Sequence, residues 1–474
     1  MNKTFKNSFL SATLFLLLTS LTMAEVKLPA IFGDNMVLQQ QTETAIWGKA
    51  TANSTVRIST SWNNKSYSGR SDNEGSWKIR ITTPSAGGPY TMGISDGKAI
   101  TLKNVMIGEV WVCSGQSNME MPMKGYRNQP VAGSNEYIAI SENPDIRLIT
   151  VPKKISYVPL DNFEGSWSAC DPVTVSSFSA TAYFFGLMLN KALDVPIGLI
   201  HTSWGGTMIE PWISEEGCRN FDFIRMPDKA NIPEVPSPQT PTVLYNAMIN
   251  PIAGFGISGA IWYQGESNRN QPEQYQKLMP ALADNWRMKW STGDFPMYFV
   301  QIAPFDYGPG GLNSAYLREA QLKAAADGKN MGMACILDYG EKDCIHPSNK
   351  KAAGERLAYQ ALVKTYGKKG FACDGPVLKD MNIEGSQVRL AFDNAQNGLT
   401  SFGRGLNCFE VAGANKRFYP AQAFITATGI TVFSPAVVQP VAVRYAFSDF
   451  IVGDLFNTEG LPASSFRTDT WEMK

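Results

Sequence analysis

Residues 107–119 read IGEVWVCSGQSNM, an apolar run that ends in a cluster of small and polar residues. The run from Ile107 to Cys113 has the length and the apolarity of a buried strand. Ser117 follows it where a strand would turn into a helix, a position that can expose the hydroxyl at the edge of a sheet. A serine at such a turn can equally do no more than cap the helix, so the segments around this stretch decide how it is interpreted.

Strands and helices alternate downstream of this stretch. The predicted strands cover residues 195–201, 257–263, 296–302 and 331–337, and the predicted helices cover residues 177–193, 271–288, 314–327 and 348–367. This alternation predicts an α/β fold with a parallel sheet and helices on both of its faces. Ligands of such sheets bind at the carboxyl ends of the strands, where the polar clusters of this chain also fall.

Alternating apolar residues flank this middle part on both sides. Residues 25–104 carry short runs with period two, separated by turn residues at 72–75 and 86–89, and predict a small β-sandwich. The alternation returns from residue 371 to the end of the sequence. The 474 residues are therefore expected to form an N-terminal β-sandwich domain (25–104), a catalytic α/β domain (105–370) and a C-terminal β region (371–474).

The N-terminus has the layout of a secretory signal peptide. Lys3 and Lys6 precede an apolar run over residues 9–18, and small and polar residues lead to Ala24, after which cleavage is expected. A membrane anchor is the alternative, but the run is too short to span a bilayer comfortably and no later segment is apolar enough. We expect residues 1–24 to direct export to a periplasm or to the medium, with no stable membrane insertion.

Charge and cysteine content exclude several classes of function. Lys plus Arg equals Asp plus Glu at 42 each, so the net charge is +0 and the basic stripe of a nucleic-acid-binding protein is missing. A neutral partner such as a sugar fits this balance better than a polyanion. The seven cysteines include no Cys-x-x-Cys pair, which excludes zinc-ribbon and redox motifs, and the pattern does not reveal how they pair.

Only two histidines, His201 and His346, occur in the chain, so a histidine-rich metal site is excluded. His346 lies in DCIHP, residues 343–347, where Asp343 can fold back to accept the Nδ1 proton and leave Nε2 free to take a proton from a hydroxyl. A loop histidine beside a helix-capping aspartate would show the same spacing. His201 ends a strand without a local carboxylate, and we interpret it as a structural or substrate-contacting residue.

The Ser117 motif departs from the Gly-x-Ser-x-Gly turn of α/β-hydrolases, because Met119 occupies its last position. Two further clusters follow predicted strands and offer donors for an oxyanion. Gly205 and Gly206 present unhindered backbone N–H groups, and Gln264 presents a side-chain amide. Together with the N–H of Ser117 they would supply the converging donors that a tetrahedral intermediate needs.

These motifs resemble those of the SGNH hydrolase superfamily and, within it, the sialate O-acetylesterase family, which is related to certain acetylxylan esterases. The resemblance rests on FGDNMVL (32–38), GEVWVCSGQSNM (108–119), WGGT (204–207), WYQGESN (262–268), LREAQ (317–321) and DCIHP (343–347). It implies the three-layer parallel sheet of SGNH hydrolases, flanked by the two β-sandwich-like regions. It also implies a serine carbohydrate esterase that hydrolyses O-acetyl esters on sugars and needs no metal or organic cofactor.

By this resemblance Ser117 is the nucleophile, His346 its general base and Asp343 the acid that orients the imidazole. His346 would take the Ser117 proton as the hydroxyl attacks the acetyl carbonyl, and would return it to the departing sugar alcohol. Water would then hydrolyse the acetyl-enzyme.

The resemblance also implies an oxyanion hole. Its donors would be the Ser117 N–H, the N–H of either Gly205 or Gly206, and the Gln264 amide, although the wider superfamily usually has an Asn where Gln264 stands. The further residues that would line the site are Gln116, Asn118 and Glu266. The last of these would either orient groups there or form a structural salt bridge.

The motifs leave the sugar open, because the machinery for acetyl transfer is shared. An O-acetylated sialic acid is the favoured substrate, and acetylated xylan or another polysaccharide is the alternative. A non-catalytic glycan-binding protein or a lipase or thioesterase fits less well. An anionic sugar requires an arginine near the site to pair its carboxylate, and Arg127 and Arg318 are the candidates. The acetylated hydroxyl and the oligomeric state do not follow from the sequence.

Overall fold

Short strands open the described part of the chain, which comprises residues 26–228, 230–233 and 237–472 of the computed structural model. The predicted signal peptide, residues 1–24, lies outside the described residues. The first strands are β1 (Val37–Gln39), β2 (Glu43–Lys49), β3 (Thr55–Thr60), β4 (Lys65–Arg70), β5 (Ser76–Thr82), β6 (Gly87–Ser95) and β7 (Ala99–Gly115). Strand β3 pairs with β4 and β6, β6 pairs with β7, and β2 pairs separately with β5. Their side chains alternate between buried and exposed, as the sequence predicts for two packed layers.

Strand β7 joins these N-terminal strands to the central sheet. It is 17 residues long, and its first part pairs antiparallel with β6 while its second part enters the central sheet. The predicted domain boundary between residues 104 and 105 therefore falls inside one continuous strand. A single apolar core extends from Val56 and Ile58 in β3 to Trp262 in the middle of the chain.

The middle of the chain alternates strands with helices. The strands are β8 (Asn143–Thr150), β9 (Ser168–Cys170), β10 (Ile197–Ser203), β11 (Gly259–Tyr263), β12 (Met297–Val300) and β13 (Met331–Ala334). The α-helices are α1 (Ser117–Glu120), α2 (Ser134–Ala139), α3 (Pro172–Ser177), α4 (Ala180–Leu193), α5 (Glu215–Cys218), α6 (Pro272–Trp290), α7 (Ala315–Asp327) and α8 (Lys350–Gln360). Short 3₁₀ turns occur at Glu210–Trp212, Asn250–Ile252, Glu266–Asn268 and Leu337–Tyr339, and π-helical turns at Tyr245–Ile249 and Ala361–Thr365.

The central sheet has the strand order β13–β12–β11–β7–β10–β8–β9, and all of its pairs are parallel except β8 with β9. Successive residues of β11 point into two different apolar cores. Trp262 packs in the core to which α6 contributes, and Ile261 packs in the core to which α4 and α8 contribute. Both faces of the sheet are thus covered by helices, and the predicted α/β class is confirmed. Gly115 lies opposite both Ser203 and Tyr263, so β7, β10 and β11 end at one edge.

The C-terminal part is antiparallel. Its strands are β14 (Val377–Glu384), β15 (Gln387–Asp393), β16 (Leu399–Thr400), β17 (Phe409–Ala412), β18 (Phe418–Pro420), β19 (Gln422–Thr426), β20 (Gly429–Phe433), β21 (Ala442–Tyr445), β22 (Phe456–Asn457) and β23 (Phe466–Arg467). They form two four-stranded sheets, β14–β15–β20–β19 and β18–β17–β21–β23, and the pair β16–β22.

Arg318 of α7 ties the C-terminal strands to the α/β domain. Its guanidinium is fully buried and donates to the Ser465 hydroxyl at 2.9 Å, to the Ser314 hydroxyl at 3.1 Å and to the Ala446 carbonyl at 3.4 Å. Because these partners occupy the guanidinium, Arg318 holds two parts of the fold together and is not available to a substrate.

The seven cysteines are free thiols. None of the helices within the described residues combines the length and the apolarity that a membrane crossing requires.

Candidate active site

Ser117 and His346, which are 229 positions apart, meet at the carboxyl edge of the central sheet. Ser117 opens helix α1 directly after β7, and His346 lies in the loop that leads to α8. The Nε2 atom of the imidazole lies 2.7 Å from the Ser117 Oγ, within hydrogen-bonding distance. Both side chains are only partly buried. This geometry allows the hydroxyl to donate its proton to a neutral imidazole.

The turn that presents Ser117 depends on Gly115. Its φ is +140°, in a region that favours glycine, and a Cβ there would lie 2.2 Å from the carbonyl oxygen of Tyr263. The next residue, Gln116, donates its backbone N–H to that same carbonyl at 2.9 Å. The close approach of β7 to β11 therefore fixes the point at which the chain leaves the sheet and enters α1.

The other ring nitrogen of His346 does not meet Asp343, and this expectation from the sequence is corrected. Its Nδ1 lies 2.6 Å from the Oε1 of Gln129. An antiparallel bridge between Glu341 and Cys344 turns the chain tightly, which leaves Asp343 exposed at the tip of the turn. Three-residue spacing permits a carboxylate to fold back onto a histidine, but the direction of this turn prevents it.

The surroundings of His346 keep it neutral. The ring of Tyr126 packs edge-on against the imidazole with centroids 5.4 Å apart. Burial, with a smaller contribution from the Lys350 ammonium, lowers the pKa of His346 to about 4. At neutral pH the imidazole is therefore unprotonated and can act as a base.

A buried cluster of polar side chains packs next to the Ser117–His346 pair. The Asn118 Nδ2 donates to the Glu266 Oε1 at 2.6 Å and to the carbonyl of Ile345 at 3.1 Å, while its Oδ1 accepts from the Lys350 ammonium. Burial lowers the pKa of Lys350 to about 7 and raises the pKa of Glu266. Asn118 and Glu266, both predicted to line the site, thus link the segment after Ser117 to the segment before His346.

Gly205 lies beside Ser117, but its N–H is occupied. A Cβ on Gly205 would be 3.2 Å from the Ser117 Cβ, and its N–H donates to the Glu120 Oε2 at 2.5 Å. The same carboxylate accepts from the Lys153 ammonium at 2.6 Å. Among the described residues, no acceptor takes the N–H of Ser117 or of Gly206, so of the predicted backbone donors these two are free.

Gln264 does not point into the site, and its predicted place in the oxyanion hole is corrected. Its side chain is fully buried, and its amide donates to the Thr207 carbonyl at 3.1 Å and to the Asn268 Oδ1 at 2.8 Å. Gln116, also predicted to line the site, is buried and accepts from the N–H groups of Gly265 and Ser267. Both glutamines hold loops together behind the reacting groups.

His201 forms a second histidine–serine pair, which is buried. Its Nε2 lies 2.6 Å from the hydroxyl of Ser203, two residues along β10, and its ring packs against Phe178. His201 and Ser203 expose only 7% and 3% of their surface. A sugar ester cannot reach them, so of the two interpretations of His201 the structural one fits.

The sequence did not single out four residues of this site: Glu120, Tyr126, Gln129 and Lys350. Only Glu120 carried a signal, since it lies three residues after Ser117 in the first helical turn and must lie near it. Tyr126 and Gln129 reach the site through a turn after α1, and Lys350 through the start of α8. None of these three residues belongs to a local sequence motif.

Comparisons with known proteins show what this chain is similar to. A family model described as carbohydrate esterase, sialic acid-specific acetylesterase, matches residues 107–363, a range that includes Ser117 and His346. The sialate O-acetylesterase of Mus musculus is 28% identical over 88% of this chain and 89% of its own length, and that of Homo sapiens is 28% identical over 74% and 73%. The crystal structure of a carbohydrate acetylesterase from Xanthomonas citri covers 94% of this chain and 100% of its own, with 34% identity and a TM-score of 0.86.

Proposed function

Since the chain belongs to the sialic acid-specific acetylesterase family and hydrolyses O-acetyl esters of carbohydrates, we propose that its substrate is an O-acetylated sialic acid and its nucleophile Ser117. The observation that carries the chemistry is the 2.7 Å contact between the Ser117 hydroxyl and the His346 Nε2. Nucleophile and base within hydrogen-bonding reach are the signature of serine catalysis.

The reaction follows from the protonation states. The neutral His346 takes the proton of the Ser117 hydroxyl while Oγ attacks the acetyl carbonyl, and a tetrahedral oxyanion forms. When the intermediate collapses, His346 gives that proton to the departing sugar oxygen, and an acetyl ester remains on Ser117. Water, deprotonated by His346, then attacks this ester, and acetate leaves with Ser117 restored.

The free backbone donors of the site support stabilisation of the oxyanion. Ser117 is the first residue of α1, and its backbone N–H has no protein acceptor among the described residues. The backbone N–H of Gly206 likewise has no acceptor among these residues. Glu120 holds Gly205 against Ser117 and thereby fixes the start of the Gly205–Gly206 turn. One such donor contributes about 3 kcal/mol to transition-state stabilisation.

An exposed arginine at the rim supports an anionic sugar. Arg127 lies in the two-residue turn between Tyr126 and Gln129, which both contact His346. Among the described residues it has no ion-pair partner, whereas Lys153 is paired with Glu120. A guanidinium in this place can receive the carboxylate of a sialic acid.

The test compares acetate release from 9-O-acetylated sialic acid and from acetylated xylan, with Ser117→Ala as the inactive control. We expect release from the sialic acid and loss of release in the variant. Arg127→Ala should raise KM for the sialic acid ester and leave KM for p-nitrophenyl acetate unchanged. Arg70→Ala, which removes an exposed arginine from β4, is the matched control and should change neither.

Release from xylan alone would keep the mechanism and overturn the substrate. Absence of release from any acetylated sugar would contradict the proposal as a whole.

We also propose that the chain is exported and that cleavage follows Ala24. The support is the sequence of residues 1–24, with Lys3 and Lys6 ahead of an apolar run. Expression of the full chain in a Gram-negative host, followed by fractionation and N-terminal sequencing, tests this. A periplasmic protein that begins at Glu25 is expected, and an uncleaved chain in the cytoplasm would contradict it.

A further inference from the structure

We propose that Gln129 is the positioning residue of the base, so that Ser117, His346 and Gln129 act together and the third member is a neutral amide. This inference rests on the proposed role of Ser117 and His346, but not on the identity of the sugar. It assigns to Gln129 the place that the sequence suggested for the carboxylate of Asp343.

The hydrogen bonds around His346 determine which ring nitrogen carries the proton. Both ring nitrogens have partners, at 2.7 Å for Nε2 and 2.6 Å for Nδ1. The Oε1 of Gln129 can only accept, so Nδ1 carries the proton and Nε2 presents its lone pair to the Ser117 hydroxyl. This is the tautomer that a general base for serine requires.

The backbone of Gln129 is held in a tight turn beside the imidazole. The backbones of Tyr126 and Gln129 bond to each other twice, each time at 3.0 Å, across the turn Arg127–Asn128. Asn128 adopts a positive φ of 63°, a conformation that asparagine tolerates in the second central position of a tight turn. The Tyr126 ring packs on the imidazole, and the Tyr126 hydroxyl donates to the Ser117 carbonyl. The turn that carries Gln129 therefore also contacts His346 and Ser117 through Tyr126.

The carboxylates near His346 are bound to other partners or exposed to solvent. Glu266 accepts from Asn118, Glu120 accepts from Gly205 and Lys153, and Glu341 accepts from Ser348. Asp343 is exposed at the tip of its turn. Among the described residues, Tyr126 packs on the imidazole, Lys350 acts on it electrostatically, and the Cys344 thiol contacts the backbone carbonyl of His346.

A neutral third member has a measurable consequence. A carboxylate on Nδ1 would stabilise the imidazolium and raise the pKa of the base, whereas an amide adds no charge. Replacing Gln129 by Glu introduces that carboxylate at nearly constant shape. We expect the pKa of His346 in Gln129→Glu to rise by about 1–3 units, the range for an opposite charge in contact.

The first readout is NMR of the chain labelled at the histidine Cε1, which gives two signals because only His201 and His346 occur. The titration of His346 should move upward in Gln129→Glu. His201, which is buried on β10, serves as the internal control and should not move. Asp343→Asn is the matched variant and should leave both titrations in place.

The second readout is the pH dependence of kcat/KM with p-nitrophenyl acetate, which does not depend on the sugar. The acid limb should shift upward with the pKa in Gln129→Glu, and kcat should fall about 100-fold in Gln129→Ala with KM little changed, as for a misplaced catalytic group. Asp343→Asn should retain the wild-type profile.

The inference is overturned if Gln129→Glu leaves the His346 titration unchanged, whether or not Asp343→Asn shifts it. It is also overturned if Gln129→Ala keeps full kcat. If Gln129→Ala does not fold, the isosteric Gln129→Glu still decides by NMR. A wild type that is inactive on every ester would refute the proposed function, whereas the NMR comparison would still judge the contact.

Discussion

Removing the buried ammonium of Lys350 tests the cluster that supports the active site. Lys350 is 1% exposed and Glu266 is 8% exposed, and Asn118 bridges them. Lys350→Met keeps the length of the side chain and deletes the charge. Glu266 then remains as a buried carboxylate without a cation, and its Oε2 already has no hydrogen-bond partner among the described residues.

The expected loss is large because one half of a charge pair is left in the protein interior. Breaking a buried pair from one side costs about 3–5 kcal/mol of the free energy of unfolding, whereas replacing both partners by neutral groups is often close to neutral. In the double variant Lys350→Met/Glu266→Gln, the new amide still accepts from Asn118. The double variant should therefore be more stable than the single variant Lys350→Met, although it carries one more substitution.

The assay is urea unfolding at pH 6, below the pKa of about 7 that burial gives Lys350, so that the ammonium is present. The wild type, the two single variants and the double variant are compared, and the coupling free energy is calculated from them. The pKa of His346 gives a second check: Lys350 lowers it, so Lys350→Met should raise it. A loss below about 1 kcal/mol in Lys350→Met, as for an exposed pair, together with no recovery in the double variant, would refute the cluster as described.

Two further variants test the geometry around Ser117. Gly115→Ala places a Cβ 2.2 Å from a backbone oxygen of β11 and forces alanine to a φ of +140°. The steric clash and the unfavourable φ should each lower the stability by about 1–3 kcal/mol, and kcat should fall as well. Gly367→Ala, at a φ of +64° in open space, tests the backbone conformation without a clash and should leave kcat unchanged in the same thermal and kinetic assays. Glu120→Ala frees Gly205 and should lower kcat about tenfold or more, since hydrogen bonds to charged groups contribute about 1.5–3 kcal/mol, whereas Lys153→Ala removes only an exposed ion pair and should change kcat less. Equal kcat in Gly115→Ala and Gly367→Ala, or a larger effect of Lys153→Ala than of Glu120→Ala, would contradict this description.

The fold could be predicted because each element of the α/β domain carries its own local signal. The apolar run that ends in Ser117 became β7 and α1, and the predicted helix 271–288 is α6, Pro272–Trp290. What the pattern missed was the continuity of β7 with the N-terminal strands. The first part of β7 alternates apolar and polar residues and the second part is uniformly apolar, which is the pattern of two separate strands. In the structure they form one continuous strand that pairs first with β6 and then with β11.

The contact between Ser117 and His346 could be anticipated because histidine is so scarce in this chain. The partners of His346 and the donors of the oxyanion hole could not. Asp343 and Gln264 lie at suitable positions in the sequence, but the direction of a turn and the burial of a loop decide where their side chains point. Gln129 is 217 residues from His346 and belongs to no motif, so only the folded chain brings it to the imidazole.

Trapping the acetyl-enzyme tests the central claim most directly. The wild type is mixed with an acetylated sugar, quenched in acid within the first turnovers, digested and analysed by mass spectrometry. We expect one acetyl group on the peptide that contains Ser117, and none on any peptide of Ser117→Ala. Acetyl transfer to another residue, or acetate release that persists in Ser117→Ala, would contradict it.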